Sequence, residues 1–242
     1  LAQRQFSLQV LGVGAGASFV YEGLISSSFM LLHDGEPFCL VDLGLGVGRE
    51  VVRHFGDFPE TIVITHNHSD HAGELPVVLR VELAKGRKKR VVSHETVSER
   101  LQRYRIAEHH QQMSPSELAD WVSAQEGEQV PIGYGLRIQF FPGVHSEASY
   151  GFLITDEKGE LRLGYTGDSR LDASLFSTLD QAKVFIMDAR PKPNPWHAHF
   201  EEMMPWLHKP NRYILGHGLS AEQVQEAYAD LPLLLPNQEV CF

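Results

Sequence analysis

The sequence predicts an α/β fold in which two packed sheets are flanked by helices. Three observations lead there. Apolar, β-branched runs bounded by turn residues recur in both halves of the chain, and helical segments alternate with them. The side chains best suited to chemistry stand where predicted strands end, on the loops that leave them. Finally, 242 residues, 43% hydrophobic and 21% charged, provide ample apolar material for a core. Residues 1–242 are therefore expected to form a single domain.

Ser7–Val13, Ser27–Leu32 and Pro37–Asp42 read as strands, the last two joined by the turn His33-Asp34-Gly35-Glu36. The glycines of Gly44-Leu45-Gly46-Val47-Gly48 lead into a helix over 48–55, which Asp57-Phe58-Pro59-Glu60 breaks before the buried strand Thr61-Ile62-Val63-Ile64. A helix over 73–85 and a short strand at Arg90–Ser93 follow. Residues 95–126 are charged and glutamine-rich with helical spacing, and Ser114-Pro115-Ser116-Glu117 has the form of a helix start. This stretch is expected to be a helical insertion that lids the site or mediates dimer contact. Strands return from 129: Leu136–Phe141, Tyr150–Thr155, Leu161–Tyr165, Val184–Met187 and Tyr213–Leu215. Helices are expected over 172–181, 199–208 and Ser220–Ala229.

The net charge of −10 makes the surface as a whole repel polyanions, which disfavours a protein that grips long nucleic acid electrostatically. Lys85-Gly86-Arg87-Lys88-Lys89-Arg90 is the local exception, and it reads better as a solvated helix-to-strand connection than as a nucleic-acid patch. Cys39 and Cys241 lie far apart and share no metal-binding spacing. Cys39 falls in an apolar strand, so a buried free thiol and a reducing cytoplasm are expected. No apolar run is long enough to span a membrane. Leu1 opens the chain in place of methionine, so a few preceding residues are expected to be missing, and no secretory leader is expected.

Chemistry concentrates in Thr65-His66-Asn67-His68-Ser69-Asp70-His71, on the loop that leaves the Ile62 strand. Imidazole and carboxylate are donors that zinc, manganese and iron accept. Four of them at i, i+2, i+4 and i+5 on a turning loop can address two neighbouring points in space. His145, Asp168 and His217 each follow a predicted strand as well. Alone, each would be an ordinary surface or hydrogen-bonded residue. With the His66 loop they make seven donors, enough for two ions sharing one carboxylate.

The order His-x-His-x-Asp-His, an isolated His, an Asp after Gly and a final His resembles the metallo-β-lactamase superfamily. The resemblance spans Leu11 to His217 and implies a four-layer αββα sandwich. It implies two divalent ions, zinc first and manganese or iron as alternatives. His66, His68 and His145 would hold one, Asp70, His71 and His217 the other, with Asp168 bridging. More narrowly, Leu11-Gly12-Val13-Gly14-Ala15-Gly16 with Ser27-Ser28-Phe29 is similar to the N-terminal strand pair of ribonuclease Z and related phosphodiesterases. His145-Ser146-Glu147-Ala148-Ser149-Tyr150-Gly151 is similar to the segment around their isolated histidine. Pro142-Gly143-Val144-His145 also resembles the Pro-Gly-His-Thr of superfamily hydrolases such as glyoxalase II. The His-Glu-Ala-Thr motif of ribonuclease Z has no counterpart in Met187-Asp188-Ala189-Arg190, and its long transfer-RNA-gripping arm is not evident.

These features together predict a phosphodiesterase acting on a small, anionic, nucleotide-like substrate through a hydroxide bridging two ions. Two cations about 3.5–4 Å apart lower the pKa of a shared water. Asp70 is expected to bind metal and steer the nucleophile's proton. His199 is the candidate general acid; it, or secondarily His197, resembles the histidine that follows a little further on in ribonuclease Z. Arg190 is expected either to meet the substrate's charge or to pair with Asp188. The alternatives are a thioester or lactone hydrolase of the same fold, a mononuclear iron redox enzyme, and a non-catalytic binding module. A homodimer is possible.

Overall fold

The computed structural model describes residues 5–242. β1 (Phe6–Gly12), β2 (Ser28–His33) and β3 (Glu36–Val41) form an antiparallel meander. α1 (Val47–Phe55) then crosses over so that β4 (Thr61–Val63) lies parallel to β3. The His66 loop leaves β4 and passes through a single helical turn, α2 (Ser69–Ala72), into α3 (Leu75–Ala84). β5 (Arg90–His94) follows, parallel to β4. α4 (Glu95–Arg100), a π-helical turn at Leu101–Arg105, a 3-10 turn at Ala107–His109 and α5 (Pro115–Leu118) come next. The start of α5 is as the sequence implies: Pro115 occupies the first turn, and Glu117 accepts the Ser114 N–H at 2.7 Å.

The helical insertion expected over 95–126 ends sooner. Asp120–Ala124 is a strand, β6, pairing parallel with β5. It lies at the edge of the sheet and is mostly solvent-accessible, so it lacks the two-faced apolar run that marks the central strands.

β7 (Val130–Gly133), β8 (Leu136–Pro142), β9 (Tyr150–Thr155) and β10 (Leu161–Tyr165) form a second antiparallel meander. β11 (Val184–Asp188) follows α6 (Ala173–Leu179), and β12 (Arg212–Leu215) follows α7 (Phe200–Leu207); both strands extend the sheet in parallel. After α8 (Ala221–Ala227), β13 (Glu239–Cys241) returns to pair with β1, giving sheets of seven and six strands.

Alternation along the strands assigns the layers. Phe29 and Leu31 face the second sheet, where they join Phe140, Phe152, Ile154, Tyr165 and Ile186. Their neighbours Met30 and Leu32 face outward, onto Val47, Val51, Leu75 and Leu79 of α1 and α3. On the far side, Phe185 and Met187 pack with Phe176 of α6 and Met203 of α7. The order is helices, sheet, sheet, helices. Parallel strands from both halves deliver their C-terminal ends to one edge of the sandwich, and the functional loops leave from there.

The basic run after α3 is occupied structurally. Lys85, Arg87 and Lys89 surround the buried Glu82 carboxylate at 2.8–3.1 Å, Lys88 pairs with Asp120, and Arg87 also pairs with Asp57. Among the described residues, no helix is long and apolar enough to cross a membrane.

Candidate metal centre

Asp42 is the first piece. β3 ends at Val41, and Asp42 takes a left-handed backbone, φ 61°, which Asp tolerates because its short polar side chain bonds locally. The buried carboxylate accepts the Thr65 N–H at 2.8 Å, the Thr65 hydroxyl at 2.8 Å and the Nδ1–H of His71 at 2.7 Å. Next to it, Gly44 lets two loops touch, since a Cβ there would lie 1.8 Å from the Asp70 carbonyl oxygen. The Leu43 N–H donates to the His71 carbonyl at 2.7 Å. The β3 end thus holds the His66 loop at its root and aims His71 through Nε2.

Two donor sets result. In one, His68 Nδ1 lies 3.2 Å from His66 Nε2 and 3.1 Å from His145 Nε2. Nitrogens bound tetrahedrally to one zinc at about 2.0–2.1 Å stand about 3.3 Å apart, so this set fits such an ion. The rings are held from behind: His66 Nδ1 meets the Thr65 hydroxyl at 3.1 Å, and His145 Nδ1 donates to the Trp196 carbonyl at 3.1 Å. In the other set, His71 Nε2 lies 3.3 Å from Asp168 Oδ1 and 3.5 Å from Asp70 Oδ2. Asp168 turns its second oxygen, Oδ2, towards His66 Nε2 at 3.9 Å. One carboxylate therefore presents an oxygen to each set.

Two residues expected at the site lie differently. His217 Nε2 donates to the Leu234 carbonyl at 2.8 Å, and its Nδ1 accepts the Leu219 N–H at 3.1 Å. Both nitrogens secure the turn after β12; the metal-competent groupings among the described residues include neither this ring nor Asp70. His199 caps α7, with Nδ1 2.8 Å from Glu202. The ring that reaches the centre from this segment is His197. Its Nδ1 bonds Asp188 Oδ2 at 2.7 Å and lies 3.7 Å from Asp168 Oδ2, and its centroid is 4.9 Å from that of His145. Arg190 takes the structural alternative. Its Nη1 donates to Asp188 Oδ1 at 2.5 Å and to the Gly216 carbonyl, while Nη2 stands 3.5 Å from Asp168.

The sequence reading gives Asp42 no role and Asp188 only that of an ion-pair partner for Arg190. The available signal was their position, since each is a carboxylate at the C-terminal end of an apolar strand, as Asp168 is.

Burial sets the charge states. It holds His66 well below its ordinary pKa, helped by the neighbouring His71, and it also lowers His145. Burial brings His217 down to about 4. At neutral pH these rings are neutral, the form that binds metal. Burial opposes charge on His71 too, but the carboxylates of Asp168, Asp42 and Asp70 outweigh it and raise that ring well above its usual value. For Asp168 burial is outweighed by His71, Arg190 and His66, and its carboxyl is held far below the usual range. A protonated His71 balances part of the negative charge of the three carboxylates around it.

A family model described as "Anti-Pycsar protein Apyc1" matches residues 6–226. No curated protein sequence matches. Solved structures do. The chain is similar to the metallo-β-lactamase fold protein YhfI from Bacillus subtilis, with TM-score 0.77 and 13% identity over 99% of this chain and 100% of that one. It is similar to a diphosphatase of the PhnP family (TM-score 0.71, 17% identity, 98% and 97% covered). It is also similar to the short form of human tRNase Z (TM-score 0.70, 16% identity, 97% and 98% covered). The fold is that of the metallo-β-lactamases.

Proposed function

The chain belongs to the Anti-Pycsar protein Apyc1 family, and from that premise we propose that it is a metal-dependent phosphodiesterase opening a small cyclic-nucleotide-like phosphodiester. The observation that carries the reading is Asp168, which offers one oxygen to the three-histidine set and the other to the set with His71 and Asp70. The family's name points to cyclic-nucleotide degradation. The occupied basic run and the net charge of −10 favour a small substrate over a nucleic acid.

In this reading His66, His68 and His145 would hold one divalent ion, Asp70 and His71 would hold a second, and Asp168 would serve both. With Asp168 shared, the first ion would have four protein donors and the second three, so the open position that a catalytic site requires falls on the second. The bound ions supply Lewis acidity and a water of lowered pKa. Asp70, the most accessible carboxylate of the sets at 8% exposure, takes the proton of the attacking water. The new P–O bond forms opposite the ester bond that breaks. His197 is placed to return a proton to the departing alkoxide, because Asp188 fixes Nδ1 and leaves Nε2 to donate. His199, tied to Glu202, orients the start of α7 instead. Arg190 pairs with the Asp188 and Asp168 carboxylates and holds Asp188 in place as the partner of His197.

A panel tests the proposal: 3′,5′-cyclic nucleotides, bis-p-nitrophenyl phosphate, a thioester and a lactone, each with zinc- or manganese-loaded protein. The proposal expects metal-dependent conversion of the cyclic nucleotides to monoesters. Cleavage confined to the thioester or the lactone would overturn it, and oxygen consumption would point to redox chemistry.

A further inference from the structure

The segment after β5 packs against the outer face of the first sheet, and it also touches both loops that carry the three-histidine set. Arg105 reaches the first loop. Its Nε donates to Asn67 Oδ1 at 2.8 Å, its Nη2 to the Asn67 carbonyl at 2.5 Å, and its Nη1 lies 3.4 Å from the Ser69 hydroxyl. Asn67 separates His66 from His68, so the guanidinium grips the peptide between two of the three nitrogen donors. One turn earlier, Arg100 pairs with Glu147 at 2.8 Å, two residues beyond His145 on the other loop.

The local backbone makes this reach possible. Leu101–Arg105 is a π-helical turn, closed by the Ile106 N–H donating to the Leu101 carbonyl at 3.1 Å. At about 100° per residue, positions five apart on an α-helix would lie about 140° apart around the axis. Here Leu101 and Ile106 are both fully buried in the same apolar cluster. The widened turn anchors both and bulges Gln102–Arg105 outward, with Arg105 at the end facing the loop. Such π-turns are frequent at functional sites.

We propose that this segment braces the metal centre, with Arg105 as a positioning residue that sets the His66–His68 spacing and Arg100 as a weaker second support on the His145 side. The fork of the guanidinium matters, because its fixed, planar donors bond a side-chain amide and a main-chain carbonyl of the same residue at once, a geometry that a compact ammonium on a flexible stem does not pre-organise. The Arg100 pair is more exposed, at 43% and 20% of the side chains, and contributes less. The inference rests on His66, His68 and His145 being metal donors.

The test is zinc affinity, measured by chelator competition on the full chain, with visible absorption of the cobalt-substituted protein as a report on donor geometry. R105A is expected to bind zinc about 10–100-fold more weakly, the usual effect of removing a group that orients a metal ligand, and to shift the cobalt bands. R105K is expected to recover part of the affinity, and R100A to change it less than about threefold. R103A, which removes a neighbouring exposed arginine, is expected to bind as wild type. Melting of the metal-free R105A protein close to metal-free wild type would show that the loss is not unfolding. Wild-type affinity and cobalt spectrum in R105A overturn the brace. If wild type itself binds no zinc, it is the donor assignment that fails.

Discussion

Replacing Asp42 by Asn isolates one atom in the metal centre. Asn keeps the shape of Asp and tolerates the left-handed backbone at φ 61°. If the remaining oxygen stays on the Thr65 N–H, the new NH2 faces His71 Nδ1, now 2.7 Å from the carboxylate. A donor would then meet a donor. The imidazole relieves this by moving its proton to Nε2, the nitrogen that faces Asp168 and Asp70. In that tautomer His71 cannot bind metal. The expected loss is about 10–100-fold in affinity of the second ion, or about 1.4–2.7 kcal/mol. Losing the charge-assisted bond also lowers the stability of the metal-free fold by about 1.5–3 kcal/mol. Elemental analysis after dialysis against graded chelator measures the first effect, and urea melts measure the second. A variant that keeps its full metal content at wild-type chelator resistance would refute the role assigned to Asp42.

Asp168 makes a pH prediction for the metal-free protein. Its folded-state pKa lies well below the ordinary 3.8, because His71, Arg190 and His66 outweigh burial. The stability it supplies is complete above that ordinary value and disappears as pH falls through the lower folded-state value. Urea midpoints should therefore drop more steeply in acid for wild type than for Asp168→Asn, and equal slopes would contradict the assignment. His197→Ala should slow hydrolysis of alkyl esters by about 10²–10⁴ while sparing p-nitrophenyl esters. His199→Ala should affect both classes equally and slightly, and the reverse pattern would return the acid role to His199. Cys39 is fully buried and burial pushes its thiol far up, whereas Cys241 is exposed. A thiol reagent should thus label one cysteine per native chain and two in denaturant; two labelled in the native protein would contradict the buried strand.

The sequence shows which residues carry chemistry more plainly than it shows how they are aimed. The His66–His71 loop is local, so its donors are visible as a cluster, and the strand-end positions of His145 and Asp168 follow from apolar runs beside them. Ring orientation is set by partners far along the chain. Asp42 lies 29 residues from His71, and the Trp196 carbonyl lies 51 from His145, distances over which no spacing rule operates. His197 and His199 are indistinguishable as letters; Asp188 and Glu202 separate them by claiming one ring each. His217 shares the strand-end signature of the donors, and here its Nε2 donates to the Leu234 carbonyl. Among the elements, the central strands are legible because both faces are apolar. The edge strands β6 and β13 are half-exposed, and the π-turn at Leu101–Arg105 has no periodicity to betray it.

The central claim concerns phosphorus, and 31P NMR observes it directly. Metal-loaded protein mixed with a 3′,5′-cyclic nucleotide should convert the cyclic diester resonance to that of a monoester. Chelator should stop the conversion and added metal restore it. A diester signal that persists unchanged with fully metal-loaded protein, across purine and pyrimidine cyclic nucleotides, would contradict the account.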